Sequence, residues 1–431
     1  MSRTLRLSAI RPSWLPAGLD ARRLVLFWSA VAGVLVPVYF LVLADVSHLA
    51  WDYRAYHAAA EAALHGDPFV GIETGLPGVS YVYPPVAVAL FVPQAAAGGW
   101  QTAFAIQSAC NVAAALGLAA LTVHTIEARR SRLDDIDRLL VVGFCVASAP
   151  VLSALGLGQV DTLIALALAG TFVALERDHQ GIAGVVIAAA ALVKVFPVVL
   201  GLWLVFRRAW HAIGVAVATA TGALVAGGLW FGVDAYIRYV HVLAARSRVS
   251  EFAGTVSPDF FAMSLYRPLS QLLGTVDPRL YGPLALLAVA PAVWFVARRE
   301  HTLTDRLTTY LAVVAGMLLV SPASNALYVV YAYFPLVCLL YLDPGGRERW
   351  LLLAGTAAMA FPVQPAHVAA GLASLGAPST ASHAVLAVVA PVLSVASVPL
   401  LGLSAVLVWC TIHTAGRHVP LTTAHTPASG D

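Results

Sequence analysis

The sequence predicts an all-α, polytopic membrane protein, and three observations carry that prediction. Of its 431 residues, 60% are hydrophobic and only 11% are charged, whereas a soluble domain carries about 25% charged residues. The apolar residues gather into blocks of roughly 17 to 25, the length of helix that crosses a hydrocarbon core. The only lysine is Lys194, and the arginines sit between the blocks.

Taken in order, the N-terminal segment is basic (Arg3, Arg6, Arg11, Arg22, Arg23) and leads into an apolar run over 24–44. No small-residue cleavage site precedes Asp45, so this run reads as a retained first span with a cytoplasmic N-terminus. The next segment, 45–83, is an external loop. In it Asp52 opens a helix whose Tyr56, Ala59, Ala60 and Ala63 share one face, and Gly66-Asp67-Pro68 stops it. Trp51, Tyr53 and Tyr56 would anchor that helix in the membrane interface. Tyr83-Pro84-Pro85 gives the following run a rigid start. Further runs lie at 84–97 with 100–123, 139–155, 160–175, 182–206, 209–231, 280–297, 307–320, 326–342, 350–371 and 383–412, for about eleven to thirteen helices.

Basic residues near span ends mark the cytoplasmic side. Arg129, Arg130 and Arg132, then Arg207 and Arg208, Arg298 and Arg299, and Arg347 and Arg349 do so here. The loop 45–83, the Gly158-to-Asp161 turn, the long loop 232–279 and the Ser321-to-Asn325 turn therefore share the outer side. Parity requires an odd number of crossings over 84–123. It also requires 182–206 to break near Lys194 and Pro197 into two half-helices that dip in and return, which is tolerated where a cavity is lined. Residues 1–412 form one transmembrane domain, and the polar tail 413–431 is expected to be disordered.

Several function classes fall away. A net charge of +3 is too small to suggest nucleic acid. Cys110, Cys145, Cys338 and Cys410 lie inside apolar runs without disulfide or zinc spacing. There is no phosphate-cradling glycine loop, no His-Glu-x-x-His and no Gly-x-Ser-x-Gly, so neither a metal nor a cofactor is expected.

The remaining polar residues collect on the outer side. Asp52 taken alone reads first as a helix N-cap; the other reading is a catalytic carboxylate, with Asp45 as its fallback. Gln159 and Asp161 interrupt two apolar runs, where polar groups are costly unless partnered. Asp161 could be a helix N-cap. Lys194 lies midway through a span with Pro197 behind it, and its ammonium needs an anion, either Asp161 or a ligand phosphate. Arg238, Arg246, Arg248, Arg267 and Arg279 break the charge rule in the outer loop 232–279; they meet solvent and headgroups, or a lipid phosphate that a guanidinium fork matches. Ser321, Ser324 and Asn325 open a turn followed by Tyr328, Tyr331 and Tyr333, a setting suited to a sugar-sized ligand and also common in interfacial belts.

In order and spacing these pieces resemble glycosyltransferase family 87: Asp52-x-x-x-Tyr56 with Gly66, Tyr83-Pro84-Pro85, Gly158-Gln159-x-Asp161, Gly184 with Lys194-x-x-Pro197 and Arg207-Arg208, and Ser321-Pro322-x-Ser324. The resemblance covers roughly residues 20 to 345. It implies the GT-C architecture and a polyprenyl-phosphate sugar as donor, with mannose the first expectation. It makes Asp52 the catalytic base and puts Lys194 and Gln159, beside Asp161, around the donor phosphate. Arg246 and Arg267 complete the expected phosphate set; Asp161, Tyr56, Tyr83, Ser321, Ser324, Asn325 and Tyr328 form the expected substrate surface. Mannosyltransferases of the family carry a histidine shortly after the Ser-Pro-x-Ser turn, where this chain has Asn325, Ala326, Leu327 and Tyr328.

The residues agree with that chemistry. A lipid phosphate is already a good leaving group, so no strong general acid is required, and one carboxylate suffices to take the acceptor's proton. Displacement from the opposite face inverts the sugar, so a β-linked donor yields an α-linked product. The expected setting is the plasma membrane, with a lipid or glycan acceptor at the outer face. The alternative is a secondary transporter with Asp161 and Lys194 as coupling charges. It should show two related halves, which the sequence lacks, and it has little use for two long outer loops.

Overall fold

In the computed structural model of the chain, the described residues are 20–38, 49–76, 78–245, 248–254, 256–260, 262–298 and 302–417. Asp45, Arg246 and the tail beyond Arg417 lie outside them. Among the described residues the regular structure is helical, and only two isolated β-bridges occur.

The first described helix is α1 (Ala21–Val38), and the next is the short helix α2 (Tyr53–His65). Gly66 ends α2 in the left-handed conformation, as the Gly-Asp-Pro stop predicts. Residues 84–97 do not cross as a full span. Pro85–Leu90 is a 3-10 turn and α3 (Val92–Ala96) a single turn of helix, so α4 (Trp100–Glu127) is the one long helix of this stretch. That supplies the odd number parity requires.

Next come α5 (Asp135–Ala147) and α6 (Ala149–Leu157), then α7 (Asp161–Glu176) and α8 (Gln180–Val193). At Lys194 the backbone turns extended, Phe196–Val199 forms a 3-10 turn, and α9 (Leu200–Phe206) follows. The proline after the lysine removes the donor a continuous helix would need. The two halves run out and back: α8 starts just after Glu176, and Arg207 beyond α9 pairs with that same Glu176 at 3.3 Å. The predicted break and return are both present.

Then α10 (Trp210–Phe231) and α11 (Val233–Ala245) precede the loop that contains α12 (Tyr266–Leu272). The centre of the bundle is α14 (Leu303–Val320) with α15 (Tyr333–Leu342), buried almost throughout and packed against α13 (Tyr281–Ala297) and α7. A helix apolar on every face is stable only in such an interior or in lipid. The run 350–371, predicted as one span, is two helices, α16 (Arg349–Ala360) and α17 (Pro365–Ser374), bent by 70°. Pro362 and Pro365 are the sequence signal for that break. The run 383–412 likewise divides into α18 (Ser379–Val395) and α19 (Val398–Gly416).

Among the described residues, seven helical segments are long and apolar enough to cross a membrane, or eight with the bent pair, beside five shorter apolar ones. The bundle has two chemically distinct ends. At one, helix termini are tied by ion pairs: Arg23 to Asp137 at 2.9 Å, Arg138 to Glu127 at 2.7 Å, Arg306 to Glu176 at 2.5 Å and Arg417 to Asp305 at 2.9 Å. The other end, one length of α7 away, holds Asp52, Gln159, Asp161, Lys194 and Asn325.

Candidate active site

The second end contains a cavity of about 670 Å³, within the usual range for small-molecule sites of roughly 300–1,000 Å³. Its polar side carries Asp52, Tyr56, Tyr83, Gln159, Asn325 and Tyr328. Its apolar wall is built from Leu35 and Val36 of α1 and from Phe361, Pro362 and Val363 at the α16–α17 bend.

Local sequence places Asp52. Ala50 N–H donates to the Gly156 carbonyl at 2.8 Å, which ties the start of α2 to the end of α6. Gly158 follows with φ +73°, and a Cβ there would stand 2.4 Å from that of Tyr53. Only glycine allows both the turn and the approach. Asp52 occupies the N-cap position of α2, yet its side chain makes no capping bond. Instead its Oδ2 accepts from Gln159 Nε2 at 2.7 Å. The structural alternative for Asp52 therefore does not account for its carboxylate.

Gln159 is the hub. Its Oε1 accepts from Tyr56 at 3.0 Å, Lys194 Nζ at 3.1 Å and Tyr83 at 3.4 Å, and Asn111 Nδ2 donates to its backbone carbonyl at 2.8 Å. An ammonium only donates and a carboxylate only accepts, so the amide has one possible orientation, NH2 toward Asp52. Burial holds the Tyr56 and Tyr83 phenols well above their ordinary pKa, so both remain protonated donors.

Lys194 pairs with Asp161 at 2.6 Å, and the two side chains are 4% and 0% exposed. Tyr331 also donates to Asp161, and the ammonium sits 4.4 Å over the Tyr328 ring. Neither Lys194 nor Asp161 lines the cavity; both lie behind the Gln159–Tyr83–Tyr328 wall. Of the two anions the sequence offered Lys194, the structure shows Asp161. Asp161 is the first residue of α7, after the N-cap position held by Val160. The transporter alternative loses its free coupling charges to this pair.

Arg267 does not meet the cavity either. Its guanidinium is fully buried and donates to five backbone carbonyls, those of Ser257, Pro258, Phe260, Leu393 and Ser394. Burial lowers it to about 10, so it stays charged near neutrality. The phosphate contact expected of Arg267 finds no support there; it clasps the 257–260 loop to the end of α18. Ser321 and Ser324, expected on the substrate surface, are not among the residues that line the cavity; the Ser324 carbonyl accepts from Met263 N–H at 2.9 Å. Asn325 lines the cavity and caps the following turn through Leu327 N–H at 3.0 Å. Sequence reasoning missed Asn111, the α16–α17 wall and His367, which also lines the cavity.

A carboxylate oriented by one amide, beside phenols and under an apolar wall, can take a proton from a hydroxyl while an apolar chain lies alongside. The profile of glycosyltransferase family 87 matches residues 81–322. A polyprenol-phosphate-mannose-dependent alpha-(1-2)-phosphatidylinositol pentamannoside mannosyltransferase of Mycobacterium tuberculosis (strain CDC 1551 / Oshkosh) is 27% identical over 338 residues, 72% of this chain and 73% of that protein. Its counterpart of the same description from Mycolicibacterium smegmatis (strain ATCC 700084 / mc(2)155) is 24% identical over 335 residues, 73% of this chain and 78% of its own. This multi-pass membrane protein therefore belongs to glycosyltransferase family 87.

Proposed function

We propose that the chain transfers a hexose, mannose first among candidates, from a polyprenyl-phosphate donor to a hydroxyl of a lipid or glycan acceptor. The observation that carries this is the Asp52 carboxylate, held by Gln159 in a cavity with one apolar wall. Asp52 takes the proton as the acceptor oxygen attacks C1, the C1–O bond to phosphate breaks, and the lipid phosphate leaves with the electron pair. Attack opposite the leaving group inverts the anomeric centre. Leu35, Val36 and Phe361 offer the polyprenyl chain an apolar path. Tyr56, Tyr83, Asn325 and Tyr328 surround the sugar, while Lys194 and Asp161 hold Gln159 from behind. The mannose-dependent names of both relatives support the choice of sugar. In the plasma membrane the arginine-paired end faces the cytoplasm, with the N-terminus, and the cavity opens at the outer face.

The test is incubation of purified protein with a panel of radiolabelled polyprenyl-phosphate sugars and lipid extract from the source cells. Transfer from polyprenyl-phosphate mannose, with an α-linked product, is expected. Transfer only from soluble sugar nucleotides refutes the donor class, and a retained anomeric configuration refutes the single displacement.

A further inference from the structure

Behind Asp52 and Gln159 lies a second layer of polar side chains that does not meet the cavity. It is centred on α4, whose buried face carries Gln107 and Asn111 among its alanines, 1% and 2% exposed. Amides inside a membrane bundle are costly unless partnered. Four residues apart, these two share one face of the helix.

Each is tied to one side of the Asp52–Gln159 hydrogen bond. Asn111 Nδ2 donates to the Gln159 carbonyl at 2.8 Å, and Gln159 N–H donates to the Ala154 carbonyl at 2.8 Å, so the Gln159 backbone is pinned from two directions. Gln107 acts on the Asp52 side. Its Oε1 accepts from Gln94 Nε2 at 3.0 Å, and Gln94 Oε1 accepts from the Tyr53 hydroxyl at 2.6 Å. Gln94 Nε2 also donates to the Leu90 carbonyl at 3.4 Å, which fixes the end of that amide that faces Tyr53. Tyr53 follows Asp52 directly and is fully buried. The remaining atoms, Gln107 Nε2 and Asn111 Oδ1, are a buried donor and a buried acceptor with no partner among the described residues. Amides at this spacing on a helix can bond each other, which would join the two halves of the layer.

The 2.7 Å bond from Gln159 to Asp52 spans two segments distant in sequence, the start of α2 and the turn before α7. Both are referenced to one turn of α4. A misplacement of about 1 Å at a reacting group can cost about 100-fold in rate. We propose that Gln107 and Asn111 are positioning residues, which set the distance between Asp52 and Gln159 and act on the transfer through that pair. This rests on the transferase function proposed above. Neither residue lines the cavity, so neither touches substrate.

The test uses the full chain in lipid nanodiscs, with backbone hydrogen exchange and initial rates of sugar transfer read on the same samples. Asn111→Leu should speed exchange in the 158–161 turn by about five-fold or more, the worth of a neutral hydrogen bond. Gln107→Leu should do so in the first turn of α2. The amides of α14 should match wild type as a control for fold. Each variant should lower kcat by about ten-fold with donor KM unchanged. Gln159→Leu has no amide to present to Asp52, so adding Asn111→Leu to it should lower kcat no further, the non-additivity expected of coupled residues. An additive loss, an unchanged kcat, or wild-type exchange in both segments overturns the proposal. Faster exchange throughout, α14 included, also overturns it, because the two residues then hold the fold at large. A wild type that transfers no sugar refutes the transferase reading instead, and the exchange pattern then decides by itself whether α4 holds the two segments.

Discussion

Lys194→Met separates a lysine that holds the site from one that binds the donor. The ammonium is 4% exposed and sits 2.6 Å from a carboxylate that is fully buried. Removing one partner of such a pair leaves the other charge uncompensated and costs about 3–5 kcal/mol. It also removes the charged donor to Gln159 Oε1, after which the amide can turn and present its oxygen to Asp52. Two losses are therefore expected, a thermal midpoint lower by several degrees and a reduced kcat, with donor KM little changed. Adding Asp161→Leu removes the stranded charge and should recover the midpoint, because the pair is replaced by apolar groups. It should not recover kcat, because Gln159 still lacks its one charged donor and keeps only those of Tyr56 and Tyr83. The assays are thermal unfolding in detergent and initial rates over a range of donor concentrations. An unchanged midpoint with a raised donor KM and preserved kcat refutes this reasoning and makes Lys194 a phosphate ligand.

Gln159→Leu should lower kcat by about 10- to 100-fold, the worth of a hydrogen bond to a charged group, with donor KM held; a change in KM alone would show that Gln159 acts on the donor. Gly158→Ala combines a positive φ with a 2.4 Å clash against Tyr53, so it should destabilise by about 1–3 kcal/mol and displace Asp52; an unaltered thermal midpoint contradicts that. Arg267→Lys keeps the charge but cannot reach five carbonyls, so the midpoint should fall while the affinity of remaining folded protein for undecaprenyl phosphate holds. The reverse pattern would return Arg267 to the phosphate.

The membrane class, the order of the helices and the polar residues of the site were legible because each leaves a local mark. Apolar blocks, Gly66 and the Lys194–Pro197 pair are local signals. Tertiary commitment is not local. Arg267 reads as an exposed loop arginine until Leu393 and Ser394, over a hundred residues on, take its donors. Lys194 was known to need an anion, but only the out-and-back course of α8 and α9 selects Asp161. The α16–α17 bend was marked by its prolines, yet nothing local says that it walls the cavity beside Asp52. His367 was invisible for the same reason.

The central claim is that Asp52 accepts the acceptor's proton, and Asp52→Asn tests it most directly. Asparagine keeps the shape and can still accept from Gln159 through its carbonyl, so thermal midpoint and undecaprenyl-phosphate affinity should match wild type. Transfer from polyprenyl-phosphate mannose should fall by about 100- to 10,000-fold, the range general-base catalysis contributes. A variant that folds, binds the lipid phosphate and turns over within ten-fold of wild type would contradict the account.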